Sequence, residues 1–490
     1  MKNQIVDLKN FILSTRDSGY KSISYALAEI IDNSFEAEAN DVKIFITNEN
    51  KKFEIAVIDN GIGMHPNTLA LSLRFGGTTR FKSTNYFGRY GMGLPNSSFS
   101  QCRRLEVYSW KKSNSVNWNY LDIDEIVEGK YEEIPKSKKR VVPTAYKNYF
   151  QSGTLVVWKK IDRLRYKTIL PILNKLHQDL GKIYRSLLFD GKSIIINQHK
   201  LVPFDRLYLK KGQNPIGGKQ YGKEMKFPIQ IDDIKSMIKV RFVELPIDKW
   251  AKLPNKEKRK IGITKNAGVS ILRHGREIDY GWFFMGKKRK ENYDDWWRCE
   301  VSFDSILDDL FGITHTKQIV NPTYKLNEIL EQHIESVGHK LNNRVRLKFI
   351  EINEEYNKSE EIKMAEKNDY LIEPPPELAK FSIKTMFSKG DSSKFKGLKY
   401  SINLDSLTTS ALYSKSLNGQ SLDIIINTNH PFYKIYLHRM DYEGHMRNNV
   451  LKKLFYLMIL AMARAELKLG SDMSESYRTR WGNILKKYLA

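Results

Sequence analysis

The sequence contains very little cysteine. Of its 490 residues, only Cys102 and Cys299 carry a thiol. Two isolated cysteines provide neither a disulfide framework nor a zinc site, and their scarcity favours a reducing compartment. The first residues, MKNQIVDLKN, lack the apolar core of a secretory signal peptide. These absences predict a cytoplasmic location.

Long apolar runs are missing as well. The longest, LFYLMILAMA at 454–463, has about half of the roughly 20 residues that a membrane span needs. We expect it to form a buried helix near the C-terminus, and we expect no membrane partner. With 490 residues, the chain is long enough for three domains.

Acidic residues are scarce relative to basic ones. The chain has 81 lysines and arginines against 56 aspartates and glutamates, which gives a formal net charge of +25. Basic loops of this kind attract a polyanion with salt-sensitive affinity and little reading of bases, so duplex DNA is the predicted partner. The alternative is a solvated surface in a lysine-rich composition. The basic residues cluster in loop-like sequence at 136–140, 210–211, 256–260 and 287–290.

Three segments bearing glycines or carboxylates follow one another in the N-terminal part of the chain. The first, ALAEIIDNSFEAEA at 26–39, has a helical period with Glu29, Asn33 and Glu36 on the face opposite the apolar residues. Asn33 offers a neutral oxygen that suits Mg²⁺. Glu29, one turn earlier, can take the proton from a water that attacks a phosphate. The alternative for this segment alone is a solvated polar helix face.

The second segment ends in VIDNGIGM at 57–64. The preceding residues, FEIAVID at 53–59, alternate and predict a strand that delivers Asp59 to its end. A carboxylate there can accept a hydrogen bond from the amino group of adenine. Gly61 and Gly63 let the backbone approach a flat base without a Cβ clash, and Met64 completes the predicted contact segment. The alternative is a plain turn after a strand.

The third segment runs from FGGTT at 75–79 to GRYGMGL at 88–94. Its glycines, followed by a predicted helix from Leu94, suit phosphates held by backbone N–H groups. The polar stretch 80–87 predicts a mobile lid. No Gly-Lys-Ser/Thr follows the glycines, so this is not a Walker loop, and no strand precedes them as in a dinucleotide fingerprint. The predicted nucleotide contacts in this segment are Gly76, Gly77, Thr78, Gly88, Arg89, Tyr90, Gly91, Met92, Gly93 and Leu94.

Together these motifs resemble those of the GHKL ATPases, which include DNA gyrase B, heat-shock chaperones, sensor histidine kinases, MutL and the MORC proteins. The resemblance implies that the chain hydrolyses ATP with Mg²⁺. It also implies that Glu29 is the general base, that Asn33 is the magnesium ligand and that Asp59 binds adenine. A short Ser-Gly-Thr element before the predicted strand LVVW makes Thr154 a second adenine contact. Glu36 stands where many members have aspartate, which leaves its role open.

The resemblance also implies an α+β fold in three parts. Residues 1–165 are expected to form a GHKL (Bergerat) α/β sandwich, with an antiparallel-dominated sheet and helices packed on one face. Residues 166–345 are expected to form a ribosomal-protein-like α/β transducer domain that begins near a hairpin at Asp190-Gly191. A helical linker at 346–379 then leads to a smaller α/β domain at 380–490, in which we recognise no catalytic pattern.

A loop of the second predicted domain points to the branch of the family. GITHTKQ at 312–318 resembles the lysine loop of the transducer in gyrase B, MutL and MORC proteins. The resemblance implies that Lys317 reaches into the first domain and contacts the γ-phosphate. Phosphoryl transfer gathers negative charge on the equatorial oxygens, and a lysine there stabilises it. Hydrolysis would then require the two domains to close.

The resemblance suggests three classes of function. The preferred one is a homodimer that closes on ATP binding, with residues 1–20 as an exchanged strap, and acts as a clamp on DNA. Such proteins resemble parts of bacterial DNA-processing or antiviral (phage) defence systems, which makes a partner nuclease or another subunit conceivable. The alternative is a chaperone-like ATPase, although those members are acidic and complete the site with arginine. A histidine kinase needs a phospho-accepting helix before the first motif, and only about twenty residues precede it.

Overall fold

The structure is a computed structural model, and it divides into two compact units, Met1–Phe349 and Ile350–Ala490. Both units combine helices with a sheet, which confirms the predicted α+β class. The structure describes residues 7–17, 20, 22–77, 91–111, 115–146, 150–231, 234–313, 318–378, 397–438 and 446–489.

An eight-stranded sheet dominates the N-terminal part of the first unit. Its order is β5-β4-β3-β6-β2-β1-β7-β8. Strands β1 and β7 run parallel, and the other described neighbours are antiparallel, as the sequence predicted. The strands are β1 (Asp41–Glu49), β2 (Lys52–Asp59), β3 (Cys102–Trp110), β4 (Asn117–Asp122), β5 (Lys138–Lys139), β6 (Gly153–Ile161), β7 (Ser193–Ile196) and β8 (His199–Lys200).

Helices cover one face of this sheet. Successive side chains of a strand point to opposite faces, so Ile55 and Val57 of β2 pack against the helices. Ala56 and Ile58 face a smaller core on the other side, which Tyr146 helps to close. The helices of this part are α1 (Leu8–Asp17), α2 (Ile23–Glu36), α3 (Pro66–Leu73), α4 (Gly93–Phe99), α5 (Ile123–Val127), α6 (Ile169–Ile183) and α7 (Arg185–Phe189), with a 3₁₀ turn at Thr144–Tyr146.

The predicted hairpin at Asp190-Gly191 is wrong. The residues before it form α7, and β7 pairs in parallel with β1 because Ile194 and Ile196 complete the core beneath the helices. The hairpin lies one step later, between β7 and β8. Its two loop residues, Asn197 and Gln198, have φ of 42° and 70°, as a tight two-residue turn requires. The first sheet therefore reaches beyond residue 165, where the sequence placed the end of the ATP-binding domain.

A second sheet follows in the same unit, with the order β12-β11-β13-β10-β9. The long helix α11 packs on it through Leu326, Leu330, Ile334 and Leu341, which recur at helical spacing along one face. The elements are β9 (Lys219–Ile231), β10 (Ile234–Glu244), α8 (Ile247–Trp250), α9 (Asn255–Ile261), β11 (Gly268–Arg273), β12 (Arg276–Gly281), β13 (Trp297–Phe303), α10 (Asp308–Phe311) and α11 (Tyr324–Asn357), with 3₁₀ turns at Asn292–Trp296 and Ser305–Leu307.

The second unit contains a three-stranded sheet in the order β14-β16-β15. Its last two helices pack on that sheet, but the predicted burial of the run at 454–463 is only partly correct. Ile459 and Leu460 lie in the core, whereas Leu454 and Met458 are 53% and 62% exposed. Within the described residues, no helix combines the length and apolar content needed to cross a membrane. The elements are α12 (Glu360–Asn368), β14 (Lys399–Asp405), β15 (Tyr413–Asn418), β16 (Ser421–Asn427), α13 (Met446–Ala465) and α14 (Ser471–Tyr488), with 3₁₀ turns at Asp369–Leu371 and Glu466–Lys468 and a π-helical turn at Tyr433–Leu437.

Candidate active site

Helix α2 brings the predicted base next to the third motif. Glu29 is 2% exposed, so the solvated-face alternative for this segment is wrong. A Cβ atom on Gly93, at the start of α4, would lie 2.8 Å from the Glu29 carboxylate oxygen Oε2. The first and third motifs are therefore in contact, and the glycine leaves room for the carboxylate. Asn33, one turn along α2, is half-buried.

Asp59 joins the second motif to two others. Its carboxylate accepts hydrogen bonds from the Gly61 amide (2.9 Å), the Ser34 hydroxyl (2.9 Å) and the Thr154 amide (3.1 Å). Burial raises the pKa of Asp59, while these three hydrogen bonds act in the opposite direction. The side chain is thus fixed in place by α2, its own loop and β6.

The glycines near Asp59 permit close packing of backbone on backbone. Gly63 has φ of +66°, and a Cβ on it would lie 2.1 Å from the Trp110 carbonyl oxygen. A Cβ on Gly153 would lie 1.9 Å from the carbonyl oxygen of Asp59. A Cβ on Gly61 would meet the Ala37 carbonyl oxygen at 2.7 Å. At these three positions, a larger residue would push the strands and loop apart.

Two hydroxyls extend the site along β3 and β6. The Ser109 and Thr154 hydroxyl oxygens lie 2.9 Å apart, and Ser109 also accepts a hydrogen bond from the Met64 amide at 2.8 Å. Ser34, Ser109 and Gly153 were not assigned from the sequence. Ser34 borders Asn33 and Gly153 precedes Thr154, so both had a neighbouring signal, whereas nothing local marked Ser109.

The third motif is described only at its ends. The Gly76 amide donates a hydrogen bond to the Gly91 carbonyl oxygen at 3.1 Å, and both glycines have positive φ, 75° and 63°. This contact brings the two described ends of the motif together. Gly77 lies against the Leu71 carbonyl, Met92 precedes α4 and Leu94 is buried. Thr78, Gly88, Arg89, Tyr90, Lys317 and the predicted lid at 80–87 lie outside the described residues.

The geometry fits a nucleotide with magnesium. An ionised carboxylate has about four acceptor positions, and Asp59 uses three of them, which leaves one for an adenine amino group. In the described part of the chain, no three acidic, histidine or cysteine side chains cluster to hold a metal ion. Asn33 offers a neutral oxygen of the kind that would hold Mg²⁺ together with phosphate oxygens and water, its usual partners.

Comparison with known families agrees with this site. Residues 20–154 match the family described as histidine kinase-, DNA gyrase B-, and HSP90-like ATPase. That stretch contains Glu29, Asp59 and Thr154, so the resemblance of residues 20–154 to the GHKL ATPases is confirmed.

Curated proteins that are similar to part of this chain include MORC ATPases. ATPase MORC2B of Mus musculus is 29% identical over 127 residues, which is 24% of this chain and 12% of that protein. ATPase morc-1 of Caenorhabditis elegans is 31% identical over 102 residues, 21% of this chain and 12% of that protein. ATPase MORC2 of Homo sapiens is 30% identical over 127 residues, 24% and 12% respectively. The chain thus spans only 12% of the length of these relatives.

A solved structure titled the N-terminal domain of a DNA repair protein is 14% identical, with a TM-score of 0.40. The alignment covers 68% of this chain and 98% of the chain in that structure. This similarity is too low to carry an argument.

Proposed function

We propose that the protein is a magnesium-dependent ATPase that hydrolyses ATP to ADP and phosphate and uses ATP binding to close a dimeric clamp on DNA. The observation that carries the ATPase part is the contact of Glu29 with Gly93, which sets a buried carboxylate against the predicted phosphate loop. The physiological setting would be a bacterial DNA-processing or antiviral defence system, with a partner nuclease or other subunit.

In this mechanism, Glu29 removes the proton from the attacking water while Asp59 holds the adenine end of the nucleotide. Backbone N–H groups near Gly91 and Gly93 face the phosphates, where they offset negative charge. Asn33 would help to hold Mg²⁺, which neutralises charge on the phosphate oxygens when bound. Closure of the Lys317 loop would complete the site.

Dimerisation is the step that would turn ATP binding into movement. We expect a non-hydrolysable ATP analogue to convert the monomer to a dimer, because ordering of the lid would bring two N-terminal domains together. Multi-angle light scattering measures this directly. A Glu29→Gln variant should form the dimer with ATP itself, because it binds without hydrolysing, whereas Asp59→Asn should remain monomeric. A monomer at saturating analogue would contradict the clamp.

Most basic residues of the predicted basic clusters are exposed and can meet a polyanion, although 256–260 lies in helix α9 and not in a loop as predicted. The basic residues of 136–140 and of 210–211 are exposed, as are most of those in 256–260. The cluster at 287–290 needs a correction, because Lys288 is buried and its Nζ lies 2.6 Å from Asp294 Oδ2. That lysine stabilises the loop and is not a DNA contact.

The hairpin of β9 and β10 adds a basic surface that the sequence reading did not single out. Lys226 and Lys239 are paired directly across the two strands, and Lys235 lies on the same face of β10. All three side chains are exposed. Like charges opposite each other on neighbouring strands repel, and a phosphate backbone would relieve that repulsion. We call these three residues the hairpin lysines.

Duplex DNA is expected to stimulate ATP turnover of the wild-type protein, and replacing the hairpin lysines with glutamine should weaken both stimulation and binding. Removing three phosphate contacts should make the negative slope of log K for DNA binding against log salt shallower by up to ~2.7. An ATPase assay with and without DNA, and DNA binding measured across salt, test this.

A matched control removes the same charge elsewhere. Lys130, Lys453 and Lys468 are exposed lysines, each already paired with a glutamate, and their replacement by glutamine should leave the slope unchanged. Equal effects of the two triple variants would mean that net charge alone drives binding. A flat salt dependence in the wild type would favour the chaperone-like alternative with a protein client.

A further inference from the structure

A buried arginine of the second sheet lies beneath the predicted base. Arg276 is the first residue of β12, and it is 1% exposed. Its Nε lies 3.1 Å from Asp32 Oδ1, and its Nη2 lies 3.9 Å from Glu29 Oε1. Both carboxylates belong to α2, three residues apart and thus on one side of the helix. One cation of the second sheet therefore serves two carboxylates of the catalytic helix.

The side chains around this cluster are buried as well. The Tyr184 hydroxyl lies 2.7 Å from both the Ala28 carbonyl oxygen and Asp32 Oδ1. The Tyr20 hydroxyl is buried and makes no hydrogen bond within the described structure. Burial, with Glu29 next in importance, raises the pKa of Tyr20 above its usual range. Both phenols are thus neutral, and Arg276 places a cation beside Asp32 and Glu29. A buried carboxylate without such a partner is strongly disfavoured.

The Arg276 guanidinium can still move closer to the Glu29 carboxylate. Burial disfavours its charge, but Asp32, Tyr184 and Glu29 outweigh this and raise its pKa. Even so, Nε and Nη1 make no well-aligned hydrogen bond within the described residues. The separation from Glu29 exceeds hydrogen-bond length, and a shift of roughly 1 Å would convert it into a charge-assisted hydrogen bond. A small movement of the second sheet would therefore act directly on Glu29.

We propose that Arg276 is a positioning residue that fixes the base Glu29 through α2 and couples it to the second sheet. This inference rests on the proposed ATPase function. It adds a connection separate from Lys317, because Arg276 is buried under α2 and touches its carboxylates, whereas Lys317 is expected to meet the nucleotide itself. The order of movement would run from the second sheet through Arg276 to the carboxylate that activates water.

The chain provides a matched control in Arg273. It is the direct partner of Arg276 across the β11–β12 hairpin, and it is equally buried. Its guanidinium instead pairs with Asp308, at 2.6 Å and 2.8 Å. Loss of Arg273 therefore removes a buried, paired arginine from the same hairpin without removing either of the described contacts of Arg276 to Asp32 and Glu29.

We expect Arg276→Gln to lower kcat by roughly 10²-fold, the scale of a misplaced catalytic group, and to leave the Kd for ATP unchanged. Arg276→Lys should restore a large part of kcat, because it keeps the charge while losing the planar fork. Arg273→Gln should lower the melting temperature but not kcat. Steady-state turnover, ATP titration and thermal melting are measured for each variant.

A second variant covers the case in which Arg276→Gln fails to fold. The double variant Asp32→Asn with Arg276→Gln leaves no lone buried charge at that pair, and its kcat should also be low. Unchanged kcat in a folded Arg276 variant, or a fall in kcat equal to that of Arg273→Gln, would overturn the proposal.

Hydrogen exchange separates this proposal from the ATPase proposal. Amides of α2 should exchange faster in Arg276→Gln than in Arg273→Gln, whether or not the wild type turns over ATP. Absence of turnover in the wild type would refute the ATPase function alone. Equal exchange in α2 of both variants would refute the positioning role alone.

Discussion

Replacement of Glu29 by glutamine is expected to lower kcat for ATP hydrolysis by about 10²–10⁴-fold, the usual contribution of a general base. ATP binding should persist, because glutamine keeps the shape of a side chain that touches Gly93 and lies outside the adenine contact at Asp59. Phosphate release under steady-state conditions gives kcat, and calorimetric titration gives the Kd for ATP.

Glu106 provides the control for loss of a buried glutamate. It lies in β3 of the first sheet and pairs with Arg104 at 2.8 Å, away from the predicted phosphate loop. Glu106→Gln should destabilise the fold and leave kcat of the folded protein unchanged. If Glu29→Gln hydrolysed ATP as fast as the wild type, another group would have to activate the water.

Local patterns predicted those elements whose partners lie nearby in the sequence. The helical period of 26–39 became α2, and the alternation of FEIAVID became β2. The turn at His274 and Gly275 has a local signal of the same kind, a glycine between two alternating runs. Both residues have positive φ, 48° and 76°, as such a turn requires.

Patterns failed where a distant partner decides the structure. The residues around Asp190 alternate enough to predict a hairpin, but β7 instead pairs with β1, about 150 residues earlier in the chain. Alternation of apolar and polar residues indicates that a segment is half-buried, but it does not indicate which strand pairs with that segment. Lys288 is a different case, because its partner Asp294 lies only six residues later, a spacing that differs from the three or four residues of a helical ion pair.

The site shows this limit most clearly. Helical periodicity placed Glu29 on a polar face, and such a face is usually solvated. The structure buries it because Arg276 arrives from a hairpin about 250 residues later and supplies the opposite charge. Ser109 likewise reaches Thr154 only through the pairing of β3 with β6. Side chains that act through such contacts could not be found from motif spacing.

Replacement of Asp59 by asparagine is expected to raise the Kd for ATP by about 10²-fold, since a hydrogen bond to a charged group contributes about 1.5–3 kcal/mol and a buried donor left unpaired adds to the loss. Asp59 accepts from the Gly61 amide, the Thr154 amide and the Ser34 hydroxyl. An asparagine offers these donors a single carbonyl oxygen. Its amino group is itself a donor, and it would face either the same donors or the adenine amino group.

The comparison of ATP with GTP makes this test specific for the base, because guanine carries a carbonyl where adenine carries the amino group. Wild type should prefer ATP, and Asp59→Asn should lose most of that preference. Ser34→Ala is the matched control, since it removes one donor to the carboxylate but keeps the acceptor that meets adenine, and it should keep the preference for ATP. An Asp59→Asn variant that binds ATP normally and still rejects GTP would place adenine recognition elsewhere in the chain.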